Sequence, residues 1–292
     1  MNPYIYPQSN ILATLRVLLS EPTAERWTDV QIYSCMSIAL QGWQGRARVP
    51  YVYTISGGWV DGTYEYTLPA YIDAHTVQPQ VKVSVDEWPE LTEETWADVM
   101  AYSVEPNTSG GHTLRIDYSM PGRDVYGATN EGRVIWWGQP GQVPSTIPTL
   151  SAGITAADTS LTIASKPTIG RVGYVKVNSE WMQYSGYTEA ATTLTLTNLI
   201  RGLNGTTAAS HSTSDTVTWG IAMDTPALLN ALYDGARIYL MQMWLSNPSS
   251  RETAQYEKQL VLYQDMLNKF WQGYKSSRPP RMRLSRQAIG EI

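Results

Sequence analysis

The sequence predicts an α+β protein: an α-helical body built from N- and C-terminal helix pairs, with antiparallel β regions inserted, including a small separate β domain. Three observations predict it. Apolar residues recur at helical spacing only near the two ends of the chain. Between about 49 and 143 the period falls to two. A Thr-, Ser-, Ala- and Gly-rich stretch of short alternating runs then follows.

The first helix is expected over 9–20, where Ile11, Leu12, Leu15, Leu18 and Leu19 share one face. Ser9 or Asn10 is its expected cap and Pro22 its stop. The second is expected over 28–44, because Thr28 and Gln31 have capping-box spacing and Ile32, Met36, Ala39 or Leu40, and Trp43 mark a buried face. Val49–Ile55 and Thr63–Leu68 read as a hairpin around Ser-Gly-Gly. Further strands are expected at Val81–Val85, Leu114–Tyr118 and Val134–Trp137, completing a β region over 49–143. Pro140, Pro144 and Pro148 mark a linker. Short strands then recur near 160, 173, 180, 193 and 216, with balanced charges. A third helix is expected over 226–246, opened by Thr225-Pro226, with Leu228, Leu232, Ala236, Tyr239 and Met243 buried. A fourth is expected over 250–273, after Ser249 and Glu252 at capping-box spacing. Its heptad-like seam is Tyr256, Leu260, Tyr263, Leu267 and Phe270. The predicted organisation is therefore one body from 1–145 and 222–274, an inserted β module at 146–221, and an extended tail at 275–292.

Composition excludes several classes. The chain has 292 residues, 42% hydrophobic and 16% charged, with net charge -5, so it is neither a charged disordered chain nor a globally basic nucleic-acid binder. A single cysteine, Cys35, excludes an internal disulfide scaffold and a Cys-rich zinc site. No run approaches the ~18 apolar residues of a membrane helix. The opening residues have no basic region before an apolar run, so a cytoplasmic site of synthesis and assembly is expected. The three histidines, His75, His112 and His211, lie in separate segments without metal-ligand spacing, and no nucleotide or nucleophile-elbow motif occurs. No catalytic residue, cofactor or metal is therefore expected. The 19 Tyr and 11 Trp against one Phe suit β-sheet faces or surfaces that bury on assembly.

Two charged segments stand out. Residues 86–105 carry seven acids, including Glu90, Glu93 and Glu94, which are read as a solvated face or as lining a passage or a partner surface. The tail, with Arg278, Arg281, Arg283, Leu284, Arg286 and Ile289, mixes arginines with aliphatics behind Pro279-Pro280, as a segment that orders on a partner would. In Arg201-Gly-Leu-Asn-Gly-Thr206, Gly202 and Gly205 are expected at positive φ in a tight turn from which Arg201 projects outward.

The order of elements resembles the head-to-tail adaptor (connector or neck) proteins of tailed bacteriophages. The opening pair, Leu12-Ala-Thr-Leu-Arg-Val-Leu-Leu-Ser-Glu-Pro followed by Arg26-Trp-Thr-Asp-Val-Gln-Ile, is similar to the family's start. Thr63-Tyr-Glu-Tyr-Thr-Leu-Pro fits the following strand, and Pro226–Tyr274 resembles the closing helices. Leu199-Ile-Arg-Gly-Leu-Asn-Gly-Thr-Thr-Ala-Ala-Ser-His is similar to small β modules of phage structural proteins. The resemblance implies a virion protein with no enzymatic role. It implies a dodecameric ring beneath the portal that joins capsid to tail and passes double-stranded DNA without sequence-specific contacts. The implied partners are further copies of the chain, the portal through the tail 275–292, and the next neck or tail protein. The rival reading is a carbohydrate- or receptor-binding virion protein using Trp59, Trp88, Trp96, Trp136, Trp137 and Trp181 as platforms. A third, a two-carboxylate glycosidase, rests on the acids and tryptophans alone.

Overall fold

The computed structural model describes residues 4–274 except 22, 24–25, 44–45, 56–57, 59–62, 70, 73–79, 86–94, 99–101, 109–110, 117–131, 139–140, 142 and 247–252. In chain order the described elements are β1 (Tyr4–Pro7), α1 (Gln8–Leu18), α2 (Asp29–Gln41), β2 (Val49–Thr54), β3 (Glu65–Leu68), β4 (Gln80–Val85), β5 (Thr95–Asp98), β6 (Tyr102–Pro106), β7 (His112–Ile116) and β8 (Gly132–Gly138). They continue with β9 (Leu161–Ile163), β10 (Gly173–Val177), β11 (Glu180–Tyr184), β12 (Tyr187–Glu189), β13 (Leu194–Leu196), β14 (Ile200–Leu203), β15 (Val217–Met223), α3 (Ala227–Leu245) and α4 (Thr253–Gly273).

The expected helical body with β insertions is corrected. The protein is mixed but sheet-rich, with fifteen strands in four antiparallel sheets beside four helices among the described residues. The described residues fall into two units, one of 1–49 with those from 139 onward and one of 50–138. The boundaries therefore lie at 49/50 and 138/139, where the sequence places them at 145/146 and 221/222.

In the first unit, α2 packs on α3 and α3 on α4. Ile11 and Leu15 of α1, Ile32, Met36 and Leu40 of α2, and Leu228, Leu232 and Ala236 of α3 share one core. Ile221 and Met223 of β15 belong to the same core. Two residues earlier, Trp219 and Val217 of that strand belong to a second core, with Val175, Met182, Leu194 and Leu196. One strand thus spans both cores. It sits in the sheet β1-β15-β10-β11-β14, where Tyr4–Pro7 pairs with Gly220–Met223. The 149–221 strands are therefore not a separate domain. The physical reason is that β15 leaves the β core by its own continuation into the helical one.

Local expectations fare unevenly. The Thr28–Gln31 capping box is present, each partner bonding the other's backbone N–H. The first helix begins at Gln8 with Pro7 before it and no side-chain cap, because Tyr4–Pro7 is a strand that leads straight into the helix. Met243 is exposed rather than part of the α3 stripe. The Ser249–Glu252 box lies outside the described residues.

In the second unit the expected β2–β3 hairpin is absent. β2 belongs to the sheet β2-β8-β4-β5 and β3 to β3-β7-β6. The hairpins are instead β4–β5 and β6–β7. The β6–β7 link closes with the Gly111 N–H donating to Asn107 Oδ1 and the Asn107 N–H to Gly111 O. Tyr51 lies 5.2 Å, centroid to centroid, from Trp136. Gly138 is required beside them, since a Cβ there would sit 2.6 Å from the Trp136 ring and 2.8 Å from Tyr51.

Candidate functional site

The stretch that carries the middle-module resemblance is built around a buried carboxylate. The hairpin β10–β11 turns at Asn178, whose φ is 53°, and places Glu180 at the start of a strand whose every residue is buried. Glu180 is 1% exposed. Its Oε1 accepts Arg201 Nε at 2.7 Å and the Gly202 N–H at 3.1 Å. Its Oε2 accepts an Arg201 terminal N–H at 2.8 Å, the Ala209 N–H at 3.0 Å and His211 Nε2 at 2.8 Å. Arg201 spends its remaining donors on the carbonyls of Thr155, Asp158 and Ala209. Burial pushes the Glu180 carboxyl up, but hydrogen bonds from Arg201, His211 and Ala209 and the Arg201 charge outweigh it and hold the group at about 2.

Because an ionised carboxylate only accepts, His211 presents its Nε2–H to Glu180. Its Nδ1 faces the Asn178 amide nitrogen at 3.4 Å, and that amide donates to Asp215 at 2.9 Å. Gly202 and Gly205 do sit at φ 65° and 75°. A Cβ on Gly202 would press on Thr206 O at 3.0 Å. The outward Arg201 is corrected: its side chain is buried, bidentate on Glu180. The carboxylate is filled and enclosed, so the cluster braces three loops and offers nothing to a substrate. A carboxylate at the head of the mostly apolar strand Glu180–Tyr184 was the signal for Glu180, and Arg201, one of the module's two arginines, was its partner.

The opening motif is a second brace. Arg16, buried in α1, donates to Asp29 and to the Trp27 carbonyl at 3.1 Å. Glu21 accepts the Trp27 N–H at 2.8 Å and the Arg26 N–H. The Arg26 guanidinium lies 5.0 Å from the Trp244 ring centroid and bonds Tyr256. At the other end of α4, Arg46 lies 5.6 Å over Trp271, which meets Trp43 edge-on at 5.7 Å. Arg16 and Glu21 thus brace the turn between α1 and α2, while Arg26 and Trp27 reach Trp244 and Tyr256 of the closing pair.

Glu90, Glu93 and Glu94, and Arg278, Arg281, Arg283, Leu284, Arg286 and Ile289, lie outside the described residues. Trp136, Trp137 and Trp181 are buried. Trp59, Trp88 and the side chain of Trp96 lie outside the described residues. His112 is buried and His211 belongs to the Glu180 brace. Among the described residues no group of three His, Cys, Asp or Glu could hold a metal, and no helix is long and apolar enough to cross a membrane.

Two open surfaces remain in the first unit. Val261, Leu262 and Met266 of α4 are exposed, and so are Val30 and Ile38 of α2. A groove of about 510 Å³ runs beside Ser34, Ile38 and Gln41, with Pro144 and Pro167 among its other lining residues. Sequence periodicity shows which residues a helix buries but not which of its outer apolar residues stay bare.

No protein-family model matches the chain. No curated protein matches it. Among solved structures, the D1-D2-D3 domains of the flagellar cap protein FliD from Escherichia coli align over 89% of this chain and 75% of that one, at 13% identity and a TM-score of 0.14. So slight a likeness bears on neither fold nor function.

Proposed function

We propose that this chain is a structural virion protein, a head-to-tail adaptor that forms a dodecameric ring beneath the portal, joins capsid to tail and lets DNA pass. One observation carries the reading. Helix pairs from opposite ends of the chain share a single core, and Arg26 and Trp27, among the residues quoted for the resemblance, meet Trp244 and Tyr256 of the closing pair. A ring needs side-by-side interfaces that close by rotation, and the exposed apolar residues of α2 and α4 supply surface for them. A net charge of -5 suits a wall past which phosphate must slide without being trapped. In this reading the virion assembles in the host cytoplasm. Arg278, Arg281, Arg283, Leu284, Arg286 and Ile289 dock on the portal. Glu90, Glu93 and Glu94 face the passage or the next neck or tail protein.

The test mixes purified portal ring with the full chain and with a chain ending at Tyr274, and reads particle mass. The expected result is recruitment of the full chain into a ring and at least tenfold weaker recruitment of the truncated one. A full chain that stays monomeric beside the portal overturns the reading. A truncated chain that binds as tightly overturns only the role of the tail.

A further inference from the structure

We propose that Asn204 is a site of spontaneous covalent modification: its side-chain amide is displaced by the nitrogen of Gly205, leaving aspartate or isoaspartate in the turn beside the Glu180 brace. Asn204 is the one asparagine of this chain that precedes a glycine. Asn204 and Gly205 have φ 55° and 75°, and the Thr206 N–H donates to Leu203 O at 3.1 Å. Positive φ at both central residues is the type I′ pattern, which Asn-Gly suits best. The turn explains why these two residues stand there, and their surroundings leave them open to attack.

Three asparagines share the left-handed backbone: Asn178, Asn198 and Asn204, at φ 53°, 52° and 55°. They differ in what holds the amide. The Asn178 amide nitrogen donates to Asp215 at 2.9 Å, and that of Asn198 to Ser185 O at 3.4 Å. The Asn204 side chain is exposed and has no hydrogen-bond partner among the described residues. The following residue differs too. Ser179 and Leu199 carry a Cβ beside the attacking nitrogen, whereas a Cβ on Gly205 would meet nothing within 4 Å. The Gly205 N–H makes no hydrogen bond among the described residues. The turn must open for the attack, and the bonds that close it both run from Thr206 to Leu203 O.

The step needs only water. Gly205 N bonds to Asn204 Cγ, the Cγ–Nδ2 bond breaks, and the Gly205 amide proton leaves with that nitrogen as ammonia. Nucleophile and carbonyl belong to neighbouring residues, so no second molecule has to be captured. Water then opens the cyclic imide at either carbonyl. One opening gives aspartate, and the other gives isoaspartate, with the main chain rerouted through the side chain. Both products add a negative charge. Isoaspartate also places a methylene in the main chain between Leu203 and Gly205. That segment lies between the Gly202 and Ala209 N–H groups that bind Glu180. Within it Thr206 Oγ1 accepts the Trp181 N–H at 3.0 Å. Lengthening the turn therefore loosens the brace.

The test holds the full, folded chain at mildly alkaline pH in water enriched in heavy oxygen and maps its peptides by mass over time. The expected result is loss of ammonia with uptake of labelled oxygen at Asn204, at least about tenfold faster than at Asn178 or Asn198. The aged peptide should also become a substrate for an isoaspartyl methyltransferase. Equal conversion at the three asparagines overturns the site, and so does an Asn204 that stays intact in the folded chain while it converts in urea. Asn204→Gly keeps the positive φ without the amide, so its urea midpoint should hold steady on ageing while the parent's falls. Parallel falls overturn the link to the brace. Freshly made Asn204→Asp carries the charge without the inserted methylene and should unfold like the fresh parent. A loss as large as that of the aged parent overturns the role of the lengthened main chain.

Discussion

Glu180 shows what one buried charge does for a loop-rich module. Its five donors come from Arg201, Gly202, Ala209 and His211, so removing the charge takes from the Arg201 guanidinium its directly bonded carboxylate in a closed site. Glu180→Gln should cost about 3–5 kcal/mol, read by urea unfolding at neutral pH. The pH dependence has a definite sign. The folded carboxyl is held at about 2 against an ordinary 4.5. Its contribution, roughly 3 kcal/mol, is therefore complete above pH 4.5 and drains away as pH falls through 2. Asp234, which burial raises against the pull of Arg237, has the opposite sign. Subtracting the Glu180→Gln curve from the parent isolates Glu180, and equal acid slopes in the two would refute the assignment. Gln8 is the contrary case. It is fully buried, and neither amide atom has a hydrogen-bond partner among the described residues. Gln8→Met keeps the shape and drops the unmet polar atoms, so stability should rise by about 1–2 kcal/mol, seen as a higher Tm.

At the scale of elements, burial separates two leucines that the sequence ranks alike. Leu232 of α3 is fully buried in the helical core, while Leu260 of α4 is half-buried. Leu232→Asp should unfold the helices, because an unpaired charge there costs several kcal/mol. Leu260→Asp should leave a folded chain destabilised by about 1–2 kcal/mol, since part of the site already meets water. Far-UV circular dichroism during urea titration distinguishes them, and equal losses would mean that α4 is buried more deeply than described. Strand β15 does what neither core does alone. Val217 and Trp219 fill the β core, Ile221 and Met223 the helical one, and its free side takes β1.

At the scale of the molecule, that strand overturns the expectation that the middle module can be cut out. Removing 149–221 takes the partner of β1 and Ile221 of the helical core together. Such a chain should be insoluble or lose its cooperative unfolding transition. A cut of 150–215 that keeps β15 should retain folded helices at reduced stability. If both chains unfold alike and keep native helicity, β15 is not the shared element.

Periodicity alone determined the four helices to within a few residues, the Thr28–Gln31 cap and the positive-φ glycines of the Arg201 turn, because each depends on neighbours three or four positions away. Pairing was decided by tertiary structure. Residues 49–55 and 63–68 look like a hairpin, yet each joins a strand far along the chain, since a link of several residues leaves their edges free to choose better partners. The direction of Arg201 was settled the same way: a turn residue points outward unless a buried carboxylate waits behind it, and Glu180 is 21 positions upstream. The sheet-rich balance escaped the reading because short strands such as Tyr4–Pro7 carry too few residues to show a period, and only their partners identify them.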